Sequence, residues 1–271
     1  MRQEGRLVTA GQHSFTVVQI SDTHLGQHPG PIRSGYPDSD AQLETVLLDV
    51  LRLHHGADLV LVTGDLAEDP EAPVYQRLVG HLARLPAPIV GLAGNHDDPG
   101  IAREVFVGAG HGFDGERVLG NWLVVGLDSC WPGHSAGLVH PSELHRLEDS
   151  IDRHPEHWVL VAVHHPPVTV GSRWLDRLTL TNGDELLATM ARHPQVRACV
   201  FGHIHQNYDA MHGPIRLLGC PSTLVQFLPE ASDFALEPVE SGYRVLRLHP
   251  DGELETEVRR VPATVPGELP V

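Results

Sequence analysis

The sequence predicts a mixed α/β fold with α+β character: a four-layer α/β/β/α sandwich in which two mixed sheets lie face to face and helices flank them. Three observations point there. Six short, β-branched, nearly continuous apolar runs suit strands buried on both faces. Helical patterns separate those runs over the first two-thirds of the chain, which gives it a βαβα character. Residues 207 to 260 instead read as successive strands joined by Gly and Pro turns, so the ending is antiparallel.

The elements follow in order. Phe15 to Ile20 is the first apolar run. Leu43, Val46, Leu47, Val50 and Leu51 then form one stripe at helical spacing, with Ser39 or Asp40 as N-cap and Gly56 just past the end. Asp58 to Val62 is the second run. After it, Asp69-Pro70 starts a helix, the acid capping and the proline in the first turn. Ile89 to Ala93 is the third run, and Asp97 and Asp98 open the helix after Pro99. Trp122 to Leu127 precedes a helix over Ser142 to Ile151, which carries Leu144, Leu147 and Ile151 on one face. His157 to Val163 precedes a helix whose start, Asn182 with Glu185 three residues on, has the form of a capping box and which runs to about His193 before Pro194. Arg197 to Phe201 is the sixth run. Tyr208 to His212, Ile215 to Cys220, Tyr243 to His249 and Glu253 to Arg260 complete the strands. With 271 residues the chain is near the size at which one core stops growing, so residues 1–261 are expected to form a single domain and 262–271 a C-terminal tail.

Composition narrows the chemistry. Hydrophobic residues make up 41% and charged ones 20%, as in a soluble globular chain. All nineteen basic residues are arginine, which removes lysine Schiff bases, Ser-Lys nucleophiles and the Walker-type phosphate loop. A formal charge of -16 opposes general binding to nucleic acid or to anionic membranes. Cys130, Cys199 and Cys220 are an odd number at wide spacing, which offers neither a disulfide framework nor a zinc ribbon. Met1 to Ser14 lacks the apolar stretch of a secretory signal, and no run approaches the length of a membrane span. A reducing, cytoplasmic location is the expectation.

Possible metal ligands follow five of the six buried runs: Asp22 and His24 after the first, Asp65 after the second, Asn95 and His96 after the third, His164 after the fifth, His203 and His205 after the sixth. In open α/β sheets the functional crevice lies at the carboxyl ends of the strands, so these groups are expected to converge on one spot. Oxygen and imidazole donors without a thiolate suit zinc, manganese, iron or cobalt. Asp128-Ser129 ends the fourth run in a similar way but is read as structural, as are His54 and His55 at a helix end. His165 is expected to point away from His164 along an extended chain, in a supporting role. His134 and His140 are expected at the surface.

In order, Gln19-Ile20-Ser21-Asp22-Thr23-His24, Gly64-Asp65, Gly94-Asn95-His96-Asp97, His164 and Gly202-His203-Ile204-His205 match the motifs of the calcineurin-like metallophosphoesterases, a family that this chain resembles. A closer resemblance spans most of the chain. His164-His165-Pro166-Pro167, Gly171 to Asp176, Gly202 to Gln206, Pro221-Ser222-Thr223 with Gln226-Phe227, and Leu248 to Gly252 look like bacterial class III 3′,5′-cyclic AMP phosphodiesterases of the CpdA type. That resemblance implies a two-metal site. Asp22, His24, Asp65 and His205 would hold one ion and Asn95, His164 and His203 the other, with Asp65 bridging. The ions would be divalent or mixed-valence, iron or manganese foremost, with zinc or cobalt as alternatives.

Two such ions, two aspartates and a bridging hydroxide leave a local charge of about +1, enough to accept a phosphodiester on an acidic protein. The hydroxide is the expected nucleophile. His96 is the candidate general acid for the departing ribose oxygen, and Asn95, His96 and His24 the candidate contacts to the phosphate. The implied activity is hydrolysis of 3′,5′-cyclic nucleotides, foremost cyclic AMP to 5′-AMP. The same site could instead serve a glycerophosphodiester, a pyrophosphate-linked lipid or nucleotide, or a phosphomonoester, and a non-catalytic scaffold is the third reading. The expected partner is a small-molecule cyclic nucleotide. No membrane partner is expected, nucleic acid is disfavoured by the charge, and a homodimer is allowed.

Overall fold

Alternation of side chains along the strands decides the layering. In the computed structural model, which describes residues 13–262, Val17 of strand β1 (Phe15–Ile20) faces one apolar layer while Val18 and Ile20 face another. Strand β2 (Leu59–Thr63) divides likewise, with Leu59 and Leu61 on the first side and Val60 and Val62 on the second. Both faces are therefore apolar, which is why these runs read as continuous. β1, β2, β3 (Ile89–Leu92) and the short β4 (Gly112–Phe113) run parallel. On the other side of β1, β13 (Ser241–Leu248) and β14 (Leu254–Val261) add antiparallel strands, giving the order β14-β13-β1-β2-β3-β4.

The second sheet has the order β5-β6-β7-β8-β10-β9. Its parallel centre is β6 (Trp122–Gly126), β7 (Trp158–Ala162), β8 (Val196–Phe201) and β10 (Ile215–Gly219). The edges β5 (Gly115–Leu119) and β9 (Tyr208–His212) are antiparallel. Val17, Leu61 and Leu92 from the first sheet meet Trp122, Leu160 and Val200 from the second in a layer between the sheets. Helices α1 (Ser39–His54), α2 (Ala72–Leu82) and α3 (Pro99–Gly108) cover the outer face of the first sheet, and α4 (Pro141–Arg153) and α5 (Gly183–Ala191) that of the second. The four-layer arrangement is the one the sequence predicts.

Arg244 of β13 is buried and crosses between the sheets. Its guanidinium donates to the carbonyls of Gly219 at 2.8 Å and Tyr208 at 3.0 Å, to Asn207 Oδ1 at 2.7 Å and to Thr256 Oγ1 at 2.9 Å. A buried cation is tolerated because these acceptors replace water.

Several helix starts differ from expectation. Asp38, one residue before Ser39 and two before Asp40, caps α1 by accepting from Ala41 N. Asp69-Pro70 precedes α2 without starting it: Asp69 accepts from Gln27 N, and α2 begins at Ala72 with Pro73 in its first turn. Asn182 stands at the N-cap position of α5 as expected, but its side chain makes no capping bond, because its amide is engaged in both directions with the backbone of Val139. Asp98 alone caps α3, through Gly100 N and Ile101 N. The readings made for residues 1–12 and for the tail beyond Pro262 lie outside the described residues.

Candidate metal centre

Strands β1, β2 and β3 from one sheet and β7 and β8 from the other all end at the same place. Asp22 and His24 follow β1, Asp65 follows β2, Asn95 and His96 follow β3, His164 follows β7, and His203 and His205 follow β8. Immediately after the strands the backbone changes hand. Asp22, His24, Asp65, His203 and His205 have φ between 44° and 66°, and they are five of the seven non-glycine residues with positive φ among the described residues. Left-handed backbone is costly for such side chains, roughly 1–3 kcal/mol each, and persists where the surroundings impose it. Here it turns successive side chains out of the strand direction and into one crevice.

Hydrogen bonds at the back of each ring decide what faces the crevice. His164 Nδ1 lies 2.8 Å from the Thr63 carbonyl, and His205 Nδ1 lies 2.8 Å from that of Val225. A carbonyl only accepts, so both Nδ1 atoms carry a proton and each Nε2 is turned into the crevice, where it offers a lone pair once the ring is neutral; burial would lower His164, but Asp65 lifts it to about 9. His24 does the same with Glu68 Oε2 at 3.1 Å. Consequently the Nε2 atoms of His24 and His205 face each other across 3.3 Å with nothing to share unless a positive charge joins them. His205 Nε2 is also 3.3 Å from Asp22 Oδ1. Asp65 faces both ways, with Oδ2 3.7 Å from His24 Nε2 and Oδ1 3.4 Å from His164 Nε2.

These spacings fit a cation. Donors about 2.1 Å from a common ion stand roughly 3 Å apart. Asp22, His24 and His205 form one group whose ligand atoms all lie within 4.8 Å of one another, Asp22, Asp65 and His164 a second, and His164, His165 and His203 a third. Buried atoms without a hydrogen-bond partner concentrate here too: His164 Nε2, both ring nitrogens of His203, and Asn95 Oδ1. Burial, reinforced by His164, pushes His203 down to about 3, so its ring is neutral and its lone pair available. Burial alone would raise Asp65, but His164 and His24 outweigh it and hold the carboxyl well below its ordinary range.

Two motif glycines are explained by close approach. A Cβ on Gly94 would lie 2.2 Å from Asp65 Oδ1 and 2.7 Å from His164 Nε2. One on Gly202 would lie 2.0 Å from Ser21 Oγ and 2.8 Å from Asp22 Oδ2.

His96 stands at the mouth, its backbone N–H donating to Asp65 Oδ1 at 3.0 Å and its ring edge-on to His24 at 4.9 Å. Burial would lower its pKa, but Glu68 at 3.2 Å and the Asp65 charge lift it to about 9. Sequence reading passed over Glu68. One carboxylate takes both His24 and His96 on Oε2 and Arg33 on Oε1 at 2.7 Å, and these bonds hold it deprotonated. Its only signal was its position, three residues past Asp65. Asp97 also has a larger part than opening a helix. It accepts from the backbone of Gly94, Leu66 and Ala67 and from Tyr75 Oη, so it pins the Asn95-His96 turn to the Asp65 turn.

The orientation expected of His165 is corrected. β7 ends at Ala162, so strand alternation no longer applies, and the His165 ring packs 4.8 Å from His164 and 4.7 Å from His203 with Nδ1 on Ser129 Oγ at 2.8 Å. His134, stacked on Trp131, and His140, which caps α4, are exposed.

The family profile described as calcineurin-like phosphoesterase matches residues 15–207. The chain is 43% identical over 251 residues to a protein of Pseudomonas aeruginosa named 3′,5′-cyclic adenosine monophosphate phosphodiesterase CpdA, covering 92% of this chain and 90% of that one. To the protein of the same name from Escherichia coli K12 it is 36% identical over 271 residues, 95% of this chain and 94% of that one. Among solved structures, a dimetal phosphatase from Danio rerio superposes with a TM-score of 0.63 at 14% identity, covering 92% of this chain and 99% of that one, which speaks for the fold.

Proposed function

Because the chain belongs to the calcineurin-like phosphoesterase family, we propose that it is a metal-dependent phosphodiesterase that opens 3′,5′-cyclic nucleotides, cyclic AMP foremost, to the 5′-mononucleotide. The observation that carries this reading is the set of Nε2 atoms of His24, His164 and His205 turned inward around Asp22 and Asp65, with the two oxygens of Asp65 turned toward different histidines. Asp22, His24, Asp65 and His205 would hold one ion and Asn95, His164 and His203 a second, with Asp65 placed to serve both. Iron or manganese suits this oxygen and nitrogen set, and zinc or cobalt is compatible with it. When bound, two such ions supply Lewis acidity and a hydroxide nucleophile from water at neutral pH.

The remaining work falls to the protein. His96 donates a proton to the departing 3′-oxygen, which leaves poorly as an alkoxide. Glu68 holds the His96 ring and favours its protonated form. Asn95 and His24, beside His96, contact the phosphate. Asp97 keeps the turn that carries Asn95 and His96 in register with Asp65.

The test combines elemental analysis with turnover of cyclic nucleotides, acyclic diesters and monoesters. Two ions per chain, cyclic AMP among the best substrates, and one solvent oxygen on the phosphate of 5′-AMP after a single turnover in labelled water are expected. A stoichiometry that stays at or below one after saturation with manganese, iron or zinc, or turnover confined to monoesters, would overturn the reading.

A further inference from the structure

Aromatic residues are only 5% of this chain, yet three large rings gather beside the candidate metal centre. Trp174 lies 5.0 Å from Phe227 and 5.3 Å from Phe234, and Phe227 and Phe234 are 5.5 Å apart, all three pairs edge to face. They come from distant segments. Trp174 precedes a single 3₁₀ turn at Leu175–Arg177, whereas Phe227 and Phe234 belong to a small hairpin of β11 (Gln226–Phe227) and β12 (Leu236–Glu237). The wall is continuous with the cluster, because the Phe227 ring lies flat on His205 at 4.0 Å and 9°. It bounds a cleft of about 220 Å³ that Ile32 and Tyr36 line as well, and that His24, His96 and His205 border. Phe234 is 54% exposed, so its ring stands partly in water at the cleft.

We propose that this cleft is the nucleobase subsite: it receives the planar base of a cyclic nucleotide while the phosphate sits at the histidine cluster. The inference rests on the reading of the site as a cyclic nucleotide phosphodiesterase and adds the group that holds the base. Stacking needs only a π-face, and an aromatic platform beside a phosphate site is how sequence-tolerant nucleotide grooves are built. The wall joins the cluster through Phe227 and His205, so base and phosphate are engaged together. In a substrate of this class the base is the one flat, largely apolar part.

The test compares ligands that differ only in the base. In the metal-loaded protein, calorimetry should show 5′-AMP binding about 10- to 100-fold tighter than ribose 5-phosphate, the range for one stacked base. The kcat/KM of cyclic AMP should exceed that of methyl ribofuranoside 3,5-cyclic phosphate by a similar factor, mostly through KM. Phe234→Ala should bring both ratios toward one, and Phe234→Trp should keep them. Because Phe234 is half in water, Phe234→Ala is expected to fold. Equal binding of 5′-AMP and ribose 5-phosphate by the unmodified protein, or ratios unmoved in Phe234→Ala, would overturn the subsite. If the unmodified protein separates the two ligands in binding yet leaves cyclic nucleotides intact, the hydrolytic reading fails and the subsite stands.

Discussion

Replacing Gly94 by alanine adds one methyl group at the most crowded point of the centre. The new Cβ would lie 2.2 Å from Asp65 Oδ1, 2.4 Å from Asp65 N and 2.7 Å from His164 Nε2. To go from 2.2 Å to even 3.0 Å the carboxylate must move by about 0.8 Å, and the backbone nitrogen behind the methyl blocks relief in that direction. Misplacing a catalytic group by about 1 Å costs on the order of 10² in rate, so kcat/KM for cyclic AMP should fall about 100-fold. Stability should change much less. Overpacking costs about 1–3 kcal/mol, and alanine returns about 0.4–1 kcal/mol through the unfolded chain, since the Gly94 φ lies outside the left-handed range. The net, about 0–2.6 kcal/mol, lowers Tm by no more than roughly 10 °C in a domain of this size. Gly108→Ala is the control: nothing lies within 4 Å of its added Cβ, and neither Tm nor turnover should fall. Steady-state kinetics and scanning calorimetry of the two variants decide the matter. A Gly94→Ala enzyme within fivefold of the parent would refute the claim that this glycine is required by the approach of Asp65 and His164.

Asp65→Ala removes the one carboxylate that faces both His24 and His164, and elemental analysis should find both ions lost along with activity; two tightly held ions would refute the shared ligand. His96→Ala should leave metal content unchanged and slow cyclic AMP hydrolysis by about 10²- to 10⁴-fold. A diester with a nitrophenolate leaving group should suffer far less, and equal losses on the two substrates would take His96 out of the acid role. Arg244→Met leaves the carbonyls of Gly219 and Tyr208 buried without their donor. A loss of about 2–4 kcal/mol follows, and calorimetry should find Tm lower by roughly 4–16 °C, whereas a change under 2 °C would show that the bridge between the sheets is dispensable.

The strands were legible because both their faces are buried. Leu59–Thr63 is apolar at every position but the last, and Trp122–Gly126 and Trp158–Ala162 show the same near-continuous pattern. The strands that escaped are those without such a pattern. β5 is a sheet edge that carries Glu116 and Arg117, and β11 and β12 have two residues each. Caps were misplaced by one or two residues because Asp38, Ser39 and Asp40 are all competent, and only the backbone angles choose among them. The gathering of the histidines and aspartates was foreseeable, since each follows a strand end by a few residues and parallel strands share a direction. Glu68 was not, nor were the particular contacts of Asp97 and His165. Their importance comes from which groups turn toward them across the two sheets, and a one-dimensional spacing rule does not contain that.

The left-handed backbone at Asp22, His24, Asp65, His203 and His205 bears on how such a chain would drift if its chemistry were no longer selected. Each of these positions carries a conformational cost that a glycine would not have. A descendant released from catalysis would therefore recover that conformational cost through the substitutions that destroy the centre. Glycine would accumulate at these five positions while the apolar layers stayed intact. A relative that had lost its activity long ago would then be recognisable by glycines at the strand ends, whereas one inactivated recently would still hold aspartates and histidines in a backbone shape that no longer served them.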